Sequence, residues 1–141
     1  MEIQINYLAI VICAILAMVV GSIWYGPLFG KIWMKIIGAD SYDLAKRKEM
    51  QKKAAPLYLL QFILTIFQAL ILYHLILDTQ IVSGLERALW IWAGFVMPTI
   101  AGTSMWNNDS RKIAWSRFLI QSGYQLVIFI IFGIVLTSFI K

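Results

Sequence analysis

The sequence predicts an all-α membrane protein, a four-transmembrane-helix bundle made of two helical hairpins. Three observations carry this prediction. Only 13% of the 141 residues are charged and mean hydropathy is +0.79, where a soluble domain carries roughly a quarter charged residues. The charges are also segregated: Ile3–Gly30, Ala54–Leu77, Ala88–Asn108 and Phe118–Ile140 contain none, in runs of 28, 24, 21 and 23 residues. Each run can cross a ~30 Å hydrocarbon core, which needs about 20 residues. A soluble bundle would need charged faces at helical spacing within these runs, and there are none. The third observation is the block Gly21–Lys35, where Trp24 and Tyr25 precede Gly26-Pro27 and the chain resumes with Phe29, Gly30, Lys31 and Trp33. Tryptophan and tyrosine favour the boundary of hydrocarbon and water. Proline cannot continue the incoming helix. The block therefore reads as a helix leaving the bilayer, a bend, and an amphipathic segment at the surface.

Taken in order, the first helix runs from about Asn6 to Tyr25, with Ala14, Ala17 and Gly21 giving one side that a neighbour can approach closely. An amphipathic loop follows over residues 28–54. Its first part, Leu28–Ile37, has Phe29 and Trp33 on an apolar side and Lys31 and Lys35 on a basic one, the pattern of a short interfacial helix ended by Gly38. Its second part, Tyr42–Lys53, is a surface helix whose Lys46, Arg47, Lys48, Lys52 and Lys53 would meet anionic headgroups. The second transmembrane helix is Pro56–Leu77, opening with proline where a missing N–H does no harm. The third, about Glu86–Trp106, contains Pro98, which should kink it and free a carbonyl that Thr99 can satisfy. The fourth is about Ile113–Ile140.

Loop charges set the expected orientation. The first loop holds Lys31, Lys35, Lys46, Arg47, Lys48, Lys52 and Lys53, and the third holds Arg111, Lys112 and the nearby Arg117. The second connection sets Arg87 against Asp78 and Glu86, and the ends carry Glu2 and Lys141. The positive-inside rule makes both basic loops cytoplasmic and both termini external. A weak echo between Gly21–Lys35 and Gly102–Arg117 reads as a duplication of two hairpins.

The block Trp24-Tyr25-Gly26-Pro27-Leu28-Phe29-Gly30-Lys31-Ile32-Trp33 resembles the signature of a bacterial family of small four-helix integral membrane proteins. That family is known only as a domain of unknown function. The likeness continues at Trp92–Thr99 and Gln121–Tyr124 and covers nearly the whole chain. It implies four helices and a plasma-membrane location, and no activity.

No pattern for zinc, a nucleophile elbow or a phosphate-cradling loop is present, and the predicted spans hold no carboxylate beyond Glu86 at the start of the third. No enzyme activity, catalytic residue, metal or cofactor is expected. The single His74 reads as an interfacial histidine bonded to a carbonyl or water. The sharper signal is polar groups inside the spans. Gln61, Thr65 and Gln68 share one face of the second helix, and Arg117, Gln121, Tyr124 and Gln125 one face of the fourth. Amides are costly in lipid, so these should turn inward and meet, or face another subunit. The first reading is an oligomeric transporter- or channel-like protein with a small polar cavity opening near Arg117 and Asn107. The alternative is a non-catalytic accessory or scaffolding subunit of a larger membrane complex. In either case homo-oligomers or a membrane assembly are the expected partners, together with the lipid bilayer.

Overall fold

Asn6 starts the first helix by accepting the Ala9 amide at 3.2 Å, which satisfies one of the donors that every helix start leaves unpaired. The computed structural model describes residues 5–78 and 82–140; Glu2 and Lys141, used in the charge comparison, lie outside the described residues. Helix α1 spans Tyr7–Ile23 and buries Ala9, Ile10, Cys13, Ala14 and Ala17. That stripe is mostly small, so its neighbours come close. Leu8, Val11, Ile15 and Val19 point outward.

At Trp24–Leu28 the helix widens into a π-helical turn. Pro27 has no N–H to continue the ladder, and the Phe29 amide instead reaches the Trp24 carbonyl at 2.9 Å. Helix α2, Gly30–Ile36, follows. Gly38 at φ +71° closes it, in the left-handed cap conformation that glycine adopts without strain.

Helix α3 runs unbroken over Leu44–Leu77, capped by Asp43, whose Oδ1 accepts the Lys46 amide at 2.8 Å. This corrects two expectations: the surface helix Tyr42–Lys53 and the membrane helix Pro56–Leu77 are one element, so only the stretch up to Asp43 remains of the amphipathic loop 28–54. The reason is local. Pro56 removes the donor for the Lys52 carbonyl, at an exposed position where water can replace it, and Ala54 and Ala55 favour helix strongly. At 34 residues α3 is about 51 Å long, some 20 Å more than a ~30 Å core requires.

The third span is α4 (Gly84–Ile91), a second π-helical turn (Trp92–Val96) and α5 (Met97–Trp106). Ser83 caps α4 through the Glu86 amide. Pro98 falls in the first turn of α5, and Thr99 Oγ1 donates to the Phe95 carbonyl. Helix α6, Arg111–Ser138, is capped by Ser110. Four stretches are long and apolar enough to cross a membrane: Tyr7–Leu28, Leu44–Leu77, Gly84–Trp106 and Arg111–Ser138. Among the described residues there is no strand.

Helix α6 is the hub, packing on α1, α2, α3, α4 and α5, whereas α3 rests chiefly on α1 and touches α4 little. The apolar core of Ile10, Cys13, Leu72, Tyr73, Phe129, Phe132 and Leu136 joins α1, α3 and α6. Beside it, α4 and α6 meet closely: a Cβ on Gly133 would lie 2.8 Å from Leu85 Cα, and one on Gly84 would collide with Thr137 Oγ1. Each half of the chain thus reads helix, π turn, short helix, loop, long helix. The correspondence pairs Trp24 with Trp92 rather than with Trp106, as the sequence echo had it.

Candidate functional site

Two tryptophans hold α6 near the level where α1 turns toward α2. Trp24 donates its indole N–H to the Ile120 carbonyl at 2.9 Å, and Trp92 donates to the Ser122 carbonyl at 3.1 Å. A helical carbonyl keeps a second lone pair after its ladder bond, so both indoles are satisfied without another polar side chain. Each of these tryptophans opens a π-helical turn.

Trp24 also interlocks with Tyr124. The Tyr124 hydroxyl donates to the Ala17 carbonyl at 3.0 Å and lies over Gly21, where a Cβ would come within 3.2 Å of it. In return Trp24 covers Gly123, where a Cβ would come within 3.1 Å of the indole. Around this pair the rings of Trp24 and Phe29 stand 4.8 Å apart, Tyr25 and Trp33 4.9 Å, and Tyr25 and Tyr124 5.4 Å. Phe29 and Trp33, both half-buried, thus belong to the chain's own aromatic cluster. Gly30 lies against the Tyr25 carbonyl, which would be 3.0 Å from a Cβ there. Pro27 and Pro98 are exposed.

Arg117 closes this end. Its guanidinium pairs with Asp109 at 2.9 Å, both side chains 18–20% exposed, and reaches the Ile36 carbonyl at 3.4 Å. One side chain thereby ties α6 to the α5–α6 loop and to α2. Of the partners open to Arg117, amides of the second span, loop groups or water, it takes the loop carboxylate of Asp109.

The predicted polar stripe divides. Gln61 is exposed and bonds within α3, its Nε2 donating to Thr65 Oγ1 at 3.3 Å while Thr65 donates to the Gln61 carbonyl at 2.7 Å. Thr65 is buried. Gln68 borders an open hollow of about 190 Å³ with Phe67, Ile71, Leu72, Leu75, Ile91 and Phe129. Gln121 and Gln125 are half-buried on α6, and Gln125 Oε1 is shielded without a partner among the described residues, as is Ser104 Oγ. Asn107, at the end of α5, is exposed. These groups thus fall in separate surroundings: Gln61 faces outward, Gln68 an apolar hollow and Gln125 the bundle interior. His74 Nδ1 bonds the Leu70 carbonyl at 2.9 Å.

The basic residues stand on the polar extension of α3. Lys53 pairs with Glu49 at 2.9 Å, Lys46 lies 4.0 Å over the Tyr42 ring, and Arg47 donates to the Tyr42 carbonyl at 3.0 Å.

A family model matches residues 8–137. The chain belongs to the DUF1761 family, proteins of unknown function. That span takes in the four stretches long and apolar enough to cross a membrane, short only of the end residues Tyr7 and Ser138, and the whole Trp24–Tyr124 interlock. No curated protein matches the chain, and no solved structure does.

Sequence reasoning passed over Trp92 as a site residue and Asp109 altogether. A signal existed for the first, since Trp24-Tyr25-Gly26 and Trp92-Ala93-Gly94 share spacing. Asp109 was the nearest carboxylate to Arg117 in the chain.

Proposed function

We propose that this DUF1761 protein is a non-catalytic assembly subunit of a membrane, joined to other transmembrane helices through the outward face of α3. The supporting observation is Gln61. It lies on an exposed stripe with Leu57, Leu60, Leu64, Phe67 and Ile71, and Gln68 flanks the same stripe. An amide that faces lipid can bond only locally, while across a helix–helix contact it gains about 0.6–2 kcal/mol. The loop charges support the orientation, basic loops in the cytoplasm and both termini outside, and the family resemblance supports the plasma membrane as the location.

Energy transfer between labelled chains in vesicles, across dilution into lipid, tests this reading. Association of the native chain, weakened by Gln61→Leu with Gln68→Leu, is the expected result. Chains that stay separate at all dilutions contradict it.

A second reading, an oligomeric transporter- or channel-like protein, is favoured by the unpartnered Gln125 Oε1 and Ser104 Oγ, which water or a small polar solute would satisfy. Gln125→Leu separates the two. Loss of a solute flux supports transport; unchanged association and equal or higher stability support assembly.

A further inference from the structure

A cleft runs along the gap between α3 and α4, where these helices touch least. Its deeper part is the hollow with Gln68, Leu75, Ile91 and Phe129. Its mouth is the Arg87 end of a second hollow of about 280 Å³, lined by Val82, Arg87, Trp90, Ile91 and Phe95. The two adjoin at Ile91, which lines both, and at Leu75, whose carbonyl accepts from Arg87 Nη1 at 2.5 Å.

The chemistry changes along this path. The mouth lies at the end of the bundle where α3 gives way to α4, the level of a membrane–water boundary. There Arg87 uses Nη1 on Leu75 and has no ion pair among the described residues, which leaves donors for an anion in a fork suited to phosphate. Trp90, 70% exposed, stands beside it, as tryptophan does at headgroup level. Below, every lining side chain but Gln68 is apolar, over about 10 Å of α3 from Leu75 to Gln68.

We propose that this cleft is a phospholipid site, with the phosphate held by Arg87 and one acyl chain laid past Leu75 and Ile91 toward Phe129. A free anion would use only the mouth, and a hydrocarbon chain alone only the floor. A phospholipid of the leaflet on the α3–α4 side presents both at this spacing. The cleft rests beside the assembly face proposed for α3 and shares Phe67, Gln68 and Ile71 with it, but Arg87, Trp90 and Ile91 belong to the cleft alone, so variants at Arg87 and Ile91 separate lipid binding from chain association.

The test uses the full chain in detergent micelles with phosphatidylglycerol, dioleoylglycerol or inorganic phosphate. Retained lipid is read by native mass spectrometry and thermal stabilisation by unfolding curves. Phosphatidylglycerol should be retained and should stabilise, whereas the other two should do neither. Arg87→Gln should weaken the lipid's half-saturation about fivefold, the loss of one cation–headgroup contact, and Arg87→Lys should restore most of it. Ile91→Trp should block retention with helicity intact; if that variant fails to fold, the Arg87 pair decides alone. Equal retention by native and Arg87→Gln chains, equal binding of dioleoylglycerol, or the same stabilisation by inorganic phosphate would overturn the proposal.

Discussion

Gly123 bears the Trp24 indole directly on its backbone, so a methyl group there has to displace a ring that is also hydrogen-bonded to Ile120. Gly123→Ala should cost about 1–3 kcal/mol, the usual range for overpacking, read by unfolding in detergent. Gly94→Ala makes the matched control: a Cβ there meets nothing within 4 Å, so stability should hold or rise slightly. Arg117 and Asp109 form the other residue-scale test. Removing either charge leaves the partner largely shielded, so Arg117→Gln and Asp109→Asn should each cost about 2–3 kcal/mol, less than for a fully buried pair. The double variant should cost less than the two single losses added together. Simple additivity would show that the pair contributes nothing.

At the scale of elements, the departure from the sequence reading lies in α3. Pro56 marks a helix start in most contexts, and the change from basic to apolar composition falls beside it, so two helices were the natural expectation. Their continuity depends on whether water reaches the Lys52 carbonyl, which no local pattern reports. Spin labels at positions 46 and 60 should lie about 21 Å apart along the axis, and Pro56→Ala should leave that distance unchanged. A clearly shorter distance would restore the bend. The apolar runs made the four spans legible because charge cannot be hidden in hydrocarbon. Helix faces were less legible, since lipid is as apolar as leucine and the inward and outward sides of a span look alike. Small residues were the exception: Ala14 and Ala17 are buried against neighbours, as their spacing indicated. The amides left two sides open for the same reason, because a polar group in a span demands a partner without saying on which side.

For the whole molecule, α6 is the post on which the other spans are mounted, held by Trp24, Trp92, Tyr124 and Arg117. Helix α3 stands at the margin, resting chiefly on α1 and carrying Gln61 outward. What covers that face in a membrane is therefore decisive. Oxidative crosslinking of single-cysteine chains in native membranes, on a Cys13→Ser background, asks this most directly. Gln61→Cys should give a disulfide-linked pair of chains. Val19→Cys, on the outward face of α1 and 51% exposed, should stay unlinked. Crosslinking at position 19 but not at 61, or at neither, would contradict assembly through α3.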